Sequence, residues 1–127
     1  MQLLLRDNLP YVSVKLAYQG QAEEIQAVLV DTGSATTILA ADLVASINIF
    51  PLPDDLLFTI RGVGGSEVVF TRKLGYLQVG DRRLPDFAVE IGGMDYGFEI
   101  KGILGMDFLM KAGAVIDLQD LQIDFSD

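Results

Sequence analysis

Val28-Leu29-Val30-Asp31-Thr32-Gly33-Ser34 is the stretch on which the reading of this chain turns. An apolar, β-branched run such as Val28-Leu29-Val30 reads as the end of a fully buried strand, and an acid follows it without a spacer. A carboxylate delivered there needs hydrogen-bond donors. Gly33 lets the backbone approach closely and offers its N–H, while the Thr32 and Ser34 hydroxyls can hydrogen-bond around the turn. Taken alone, Asp-Thr-Gly reads more simply as an Asx-turn or an N-cap leading into the next helix. Its surroundings have to decide.

Working outward, Val12, Val14 and Leu16 alternate with Ser13 and Lys15, the pattern of a half-buried strand. Gln19-Gly20-Gln21 then reads as a hairpin turn into Ile25 to Val30. Further strands are expected at Leu56 to Arg61, Glu67 to Thr71, Leu74 to Val79, Phe87 to Ile91, Ala114 to Leu118 and Leu121 to Phe125. Short helices are expected at Ala40 to Ile47 and at Met106 to Lys111, the second stopped by Gly113. A weak internal repeat is visible: Leu29-Val30-Asp31-Thr32-Gly33 precedes one helix and Ile103-Leu104-Gly105 the other. Only the first copy carries an acid.

The chain has 127 residues, 9 basic and 18 acidic side chains, a net charge of -9, and no His, Cys or Trp. One mostly β domain over residues 1–127 is expected, with a core that needs no disulfide or metal staple. Without His or Cys there is no Ser-His-Asp or Cys-His nucleophile system and no thiolate or imidazole zinc site. Catalysis is left to carboxylates, hydroxyls, Lys, Arg or backbone. The acidic balance disfavours nucleic acid, whose affinity comes from Lys and Arg; the basic residues cluster only at Arg72-Lys73 and Arg82-Arg83. No apolar span reaches the roughly 18 residues of a membrane helix, and Arg6, Asp7, Asn8 and Pro10 cut short the apolar start at Met1 to Leu5. A soluble, untargeted, cytoplasmic protein is the expectation, although the sequence does not fix its compartment.

Three other features have two readings each. Arg61-Gly62-Val63-Gly64-Gly65 is either a mobile flap or a plain hairpin. It is not a phosphate loop, because Gly-x4-Gly-Lys-Ser/Thr is absent and Glu67 stands where Gly-x-Gly-x-x-Gly needs its third glycine. Gly92-Gly93-Met94-Asp95-Tyr96-Gly97 lines a substrate or is a solvent loop. Asp117, Asp120, Asp124 and Asp127 lack the calcium-loop pattern and read as a solvated strand pair.

The ordered set of Val30-Asp31-Thr32-Gly33-Ser34, the glycine hairpin at 61–65, Gly102-Ile103-Leu104-Gly105 opening a short helix, and a terminal strand resembles the retropepsin-like aspartic proteases over nearly the whole chain. Gly102 to Leu109 followed by Gly113 to Leu118 is similar to the bacterial single-domain branch. The resemblance implies a closed acid-protease barrel with one or two short helices. It implies that Asp31 is the catalytic aspartate, that the Thr32 hydroxyl locks two active-site loops across a dimer axis, and that Gly33 accepts substrate hydrogen bonds, with Ser34 completing the loop. Val63, Gly64 and Gly65 match the flap tip. Ile103, Leu104 and Gly105 match the element that supports the catalytic loop. Retroviral members carry an ion pair where this chain has Ala35 and Met106; both partners are replaced together, which leaves no lone buried charge.

One Asp-Thr-Gly per chain implies a symmetric homodimer. Two carboxylates about 3 Å apart repel by about 5 kcal/mol at an effective dielectric near 20, so one proton is shared between them. The expected activity is an aspartic endopeptidase acting on an extended peptide, with no metal or cofactor and no nucleic-acid or membrane partner. The alternatives are a silent retropepsin-fold module that binds peptides or dimerises, and a β-barrel fragment with structural acids. Leu3 and Leu5 at one end, and Leu121, Ile123 and Phe125 at the other, are expected to leave unpaired apolar edges on a single subunit that interleaving with a second copy would cover.

Overall fold

The computed structural model describes residues 1–62, 65–93 and 100–126. Its first three strands, β1 (Leu4–Arg6), β2 (Leu9–Tyr18) and β3 (Gln21–Val30), form an antiparallel meander. Both connections are two-residue turns with positive φ: Asp7 and Asn8 at 52° and 63°, Gln19 and Gly20 at 49° and 82°. Such turns match the right-handed twist of the strands they join. On β2, Val12, Val14 and Leu16 are buried, as their alternation requires.

Next come β4 (Ile38–Ala40), α1 (Ala41–Val44) and a 3-10 turn (Ala45–Ile47) that stops at Asn48 with φ 67°. The helix expected from Ala40 thus begins one residue later, and β4 is an addition to the expected strands. At three residues, all buried, β4 is too short to show a period. β5 (Phe58–Gly62) and β6 (Gly65–Lys73) form the glycine hairpin, with Gly62 opposite Gly65. β7 (Tyr76–Val79) and β8 (Arg82–Pro85) form another around Gly80-Asp81. β8 was not expected, because Arg82-Arg83-Leu84-Pro85 buries one side chain, Leu84. β9 (Ala88–Gly92), β10 (Gly102–Leu104), α2 (Met106–Ala112), β11 (Ala114–Asp117) and β12 (Gln122–Phe125) complete the chain. Gly113 ends α2 at φ 69°, donating to the Leu109 and Met110 carbonyls, the left-handed cap a glycine favours.

The main sheet runs β5-β6-β9-β4-β10-β3-β2-β7-β8, with β1 on the far side of β2. The fold is mostly β with two short helices, as expected. The closed barrel is not: among the described residues no ladder joins β5 to β8, and the path ends in a hairpin at each extreme. α2 and the β11–β12 pair pack on the main core, to which Phe108, Leu109 and Ile123 belong. Phe108 meets Phe87 and Phe125 edge to face at centroid distances of 5.6 and 6.5 Å, a favoured arrangement of ring quadrupoles.

The ends of the chain also differ from expectation. The Leu3 N–H donates to the Leu121 carbonyl at 2.7 Å and the Ile123 N–H to that of Met1 at 2.8 Å. Leu3 and Ile123 are 2% and 0% exposed. Leu3 and Ile123 are therefore covered within one subunit, while Leu5 stays 46% exposed, and an unpaired edge of this small sheet lies on β11, for which β12 is the one paired neighbour among the described residues.

Candidate active site

β10 is inserted between β3 and β4, parallel to the first and antiparallel to the second. The link from β3 to β4, residues 31–37, must therefore pass over the end of β10. Close approach follows: a Cβ on Gly105, the residue after β10, would collide with the Thr36 carbonyl and stand 3.0 Å from that of Ser34. Only glycine fits under this crossing.

Asp31 leaves β3 half-buried. Its N–H donates to the Leu104 carbonyl at 3.0 Å, and its Oδ1 accepts the Gly33 N–H at 2.9 Å. The Ser34 N–H returns to the Asp31 carbonyl at 3.2 Å. This is the Asx geometry that the residue types allow, and among the described residues no donor occupies Oδ2. Thr32 and Gly33 are exposed at the tip, while Ser34 is half-buried and donates from Oγ to the Thr36 carbonyl at 2.7 Å.

The two copies of the sequence repeat lie side by side, with Leu104 opposite Val30 and Ile103 opposite Leu29. Leu104 is fully buried and Ile103 9% exposed. The structure thus brings Asp31 to Ser34 together with Ile103, Leu104 and Gly105. Of the expected flap, Gly65 opens β6 opposite Gly62; Val63 and Gly64 lie outside the described residues, as do Met94 to Gly97 of the second glycine loop.

Two residues of the site were not singled out from sequence. Thr37, the one fully buried polar side chain among the described residues, donates from Oγ1 to Asp107 Oδ1 at 2.7 Å and from its N–H to Oδ2 at 3.1 Å. Thr37 Oγ1 also accepts the Gly105 N–H at 3.0 Å, and Asp107 Oδ1 accepts the Phe108 N–H at 2.7 Å. Backbone bonds add to this fastening: Met106 N–H to the Ser34 carbonyl at 2.8 Å, and Asp107 N–H to that of Ala35 at 3.2 Å. In place of an ion pair at Ala35 and Met106, the two loops are joined by backbone and by this carboxylate. An acid in the first turn of a helix is an ordinary signal of dipole complementarity, and nothing in the sequence says that it also reaches back seventy residues.

Among the described residues no cluster of three or more acids gathers as a cation site, and Asp117 is occupied otherwise, its Oδ1 accepting the Gln119 and Asp120 N–H groups at 3.0 Å each. No helix among them is long and apolar enough to cross a membrane.

A carboxylate at a strand end, held in a glycine turn and laced over an apolar-apolar-Gly strand, is the arrangement of an aspartic-protease-like domain. The family model described as gag-polyprotein putative aspartyl protease matches residues 18–111, and the chain belongs to that family. No curated protein matches it.

Proposed function

We propose that the protein is an aspartic endopeptidase, active as a homodimer in which each subunit supplies one Asp31. The observation that carries this reading is the presentation of Asp31: Oδ1 held by Gly33, backbone tied to Leu104, Oδ2 open. Two such carboxylates at a twofold axis hold one proton between them, since both charges together are costly. The ionised member takes a proton from a bound water, whose oxygen attacks the peptide carbonyl, and the protonated member donates to the carbonyl oxygen. Collapse of the tetrahedral intermediate breaks the C–N bond and returns a proton to the leaving amine. The Thr32 hydroxyl joins the two loops, and the hairpin carrying Val63, Gly64 and Gly65 covers an extended substrate and excludes water.

For assembly, the open edge of β11 is the element that supports a twofold contact. The seven residues of α2 span about 10 Å between the Asp31 crossing and β11. Beside β11, Val115, Leu118 and Met110 are 53%, 66% and 72% exposed. Two β11 strands paired antiparallel would cover an edge that is otherwise an aggregation hazard.

The test is incubation of the purified chain with a peptide library at acidic and neutral pH, with and without pepstatin. Cleavage that pepstatin suppresses and Asp31→Asn removes is the expected result. Peptide binding without cleavage would favour a silent binding module instead.

A further inference from the structure

Cross-ladder partners share a face of a sheet, and one row of partners crosses five strands here: Leu29 on β3, Ile103 on β10, Ile38 on β4, Glu90 on β9 and Thr71 on β6. Asp31, two residues after Leu29, leaves its strand on the same side. Three members of the row, Leu29, Ile103 and Ile38, belong to a small apolar cluster separate from the main core, joined there by Ala40, Ile100 and Ile60. The fourth member is an acid. Glu90 is fastened through its backbone, which donates to the Thr37 carbonyl at 2.9 Å, yet its Oε2 is buried and has no hydrogen-bond partner. The ion pairs among the described residues do not include it.

A carboxylate oxygen withdrawn from water without a donor is costly. On the paired strand, Arg72 is taken up by Asp55 and the Phe50 carbonyl and, opposite Val89, faces the other way; Lys73, opposite Ala88, shares the face of Glu90 but is exposed and makes no ion pair among the described residues. Among the described residues no cation is bound to Glu90, and a cation carried by a bound molecule would compensate it. We propose that Glu90 is the recognition group of a substrate subsite that takes a Lys or Arg side chain of an extended peptide. This inference rests on the proposed peptide groove above Asp31. Three strand spacings separate Glu90 from Leu29, roughly 14 Å, which is about four residues of extended chain. The basic residue thus lies within about four positions of the bond at Asp31, on a floor otherwise suited to aliphatic side chains. The net charge of -9 draws cationic peptides toward the same surface.

The experiment measures binding, so that it does not depend on turnover. Labelled eight-residue peptides with an aliphatic centre, each carrying one Lys at a different position, are titrated by fluorescence anisotropy against the Asp31→Asn protein, beside an all-neutral peptide. One Lys position is expected to tighten binding about tenfold. Glu90→Gln and Glu90→Leu, each checked for fold by circular dichroism, should both remove that increment, and Glu90→Lys should transfer it to a peptide with Glu at the same position. An increment that survives both neutral substitutions, no Lys position showing one, or no peptide binding at all would overturn the proposal. A Lys increment in a wild-type protein that cleaves nothing would refute the endopeptidase and leave the subsite standing.

Discussion

The Thr37 hydroxyl and the Asp107 carboxylate meet at 2.7 Å across seventy residues of chain, and this contact fastens the Asp31 loop to the helix after Gly105. Because Asp107 also accepts the Thr37 and Phe108 N–H groups, its removal leaves several donors unmet in a half-buried place. Hydrogen bonds to a charged group contribute about 1.5–3 kcal/mol each. Asp107→Ala should lower stability by about 2–3 kcal/mol in denaturant titrations, and Thr37→Val, which keeps the shape, by about 1–2 kcal/mol. Hydrolysis should fall with both. A stability within 0.5 kcal/mol of wild type, the range of about ±0.5 kcal/mol seen at ordinary surface sites, would show the contact to be incidental.

The crossing itself gives a sharper case. Gly105 has no room for a side chain beneath the Thr36 carbonyl, so Gly105→Ala must move either the Asp31 loop or β10. A loss of about 3 kcal/mol or failure to fold is expected, at the severe end of single substitutions. Gly20, with nothing within 4 Å of a built Cβ but φ at 82°, is the control: Gly20→Asn, a residue that tolerates the left-handed region, should cost little. Thermal melts of the two variants side by side would check the contrast.

Much of this was legible in the sequence, for physical reasons that also set the limits. The strands with a period or a glycine turn, β2, β3, β7 and β9, announce themselves, as does the helix stop at Gly113. β4 and β8 do not, because three buried residues and an Arg-Arg-Leu-Pro segment have no readable alternation. Asp31 and Gly33 were legible because each performs a local geometric task; Gly105 was legible through the internal repeat and the family resemblance, since what demands glycine there is the distant Thr36 carbonyl. Thr37 and Asp107 were not, since what distinguishes them is a partner that only the insertion of β10 between β3 and β4 creates, and Glu90 was not, since what distinguishes it is a buried oxygen without a partner on a strand between β4 and β6. The pairing of Leu3 with the Leu121 to Ile123 segment is of the same kind: apolar alternation at both ends shows that each needs cover and leaves open which chain provides it.

Asp31→Asn keeps the shape of the side chain and its turn acceptor while removing the base. Hydrolysis should vanish with the circular dichroism spectrum and melting temperature little changed. A variant that cleaves at near the wild-type rate would remove Asp31 from the mechanism.

At low pH one surface fastening should fail in a defined way. The Leu52 N–H bound to the Asp55 carboxylate, with the Arg72 guanidinium beside it, holds the Asp55 pKa below its ordinary 3.8. A depressed folded value means stability that is fully present above the unfolded pKa and lost as pH falls through the folded one. Asp55→Asn should therefore melt below wild type at pH 6, and the gap should close as pH drops below 3.8. A gap that is constant from pH 6 to about pH 2, across the ordinary carboxylate range, would mean that the charge plays no part.

The last prediction concerns the edge of β11. Val115 stands on the solvent face of that strand, opposite Asp124 on β12, while Ala114 and Ile116 turn toward the core. A charge at this position leaves the subunit core intact. In a twofold pairing of β11 edges, however, the two copies of residue 115 lie close to the axis, so Val115→Glu places like charges near each other in both subunits at once. The variant should weaken dimerisation by about tenfold or more, on the scale of the roughly 1.4 kcal/mol that a tenfold change represents, with an unchanged monomer fold. Its specific activity should become steeply dependent on protein concentration, because a subunit alone has one Asp31. Salt should restore part of the loss by screening the repulsion. Analytical ultracentrifugation alongside an activity dilution series reads both effects. A Val115→Glu protein that dimerises as wild type places the twofold contact elsewhere, and one that is monomeric yet fully active removes the two-carboxylate mechanism.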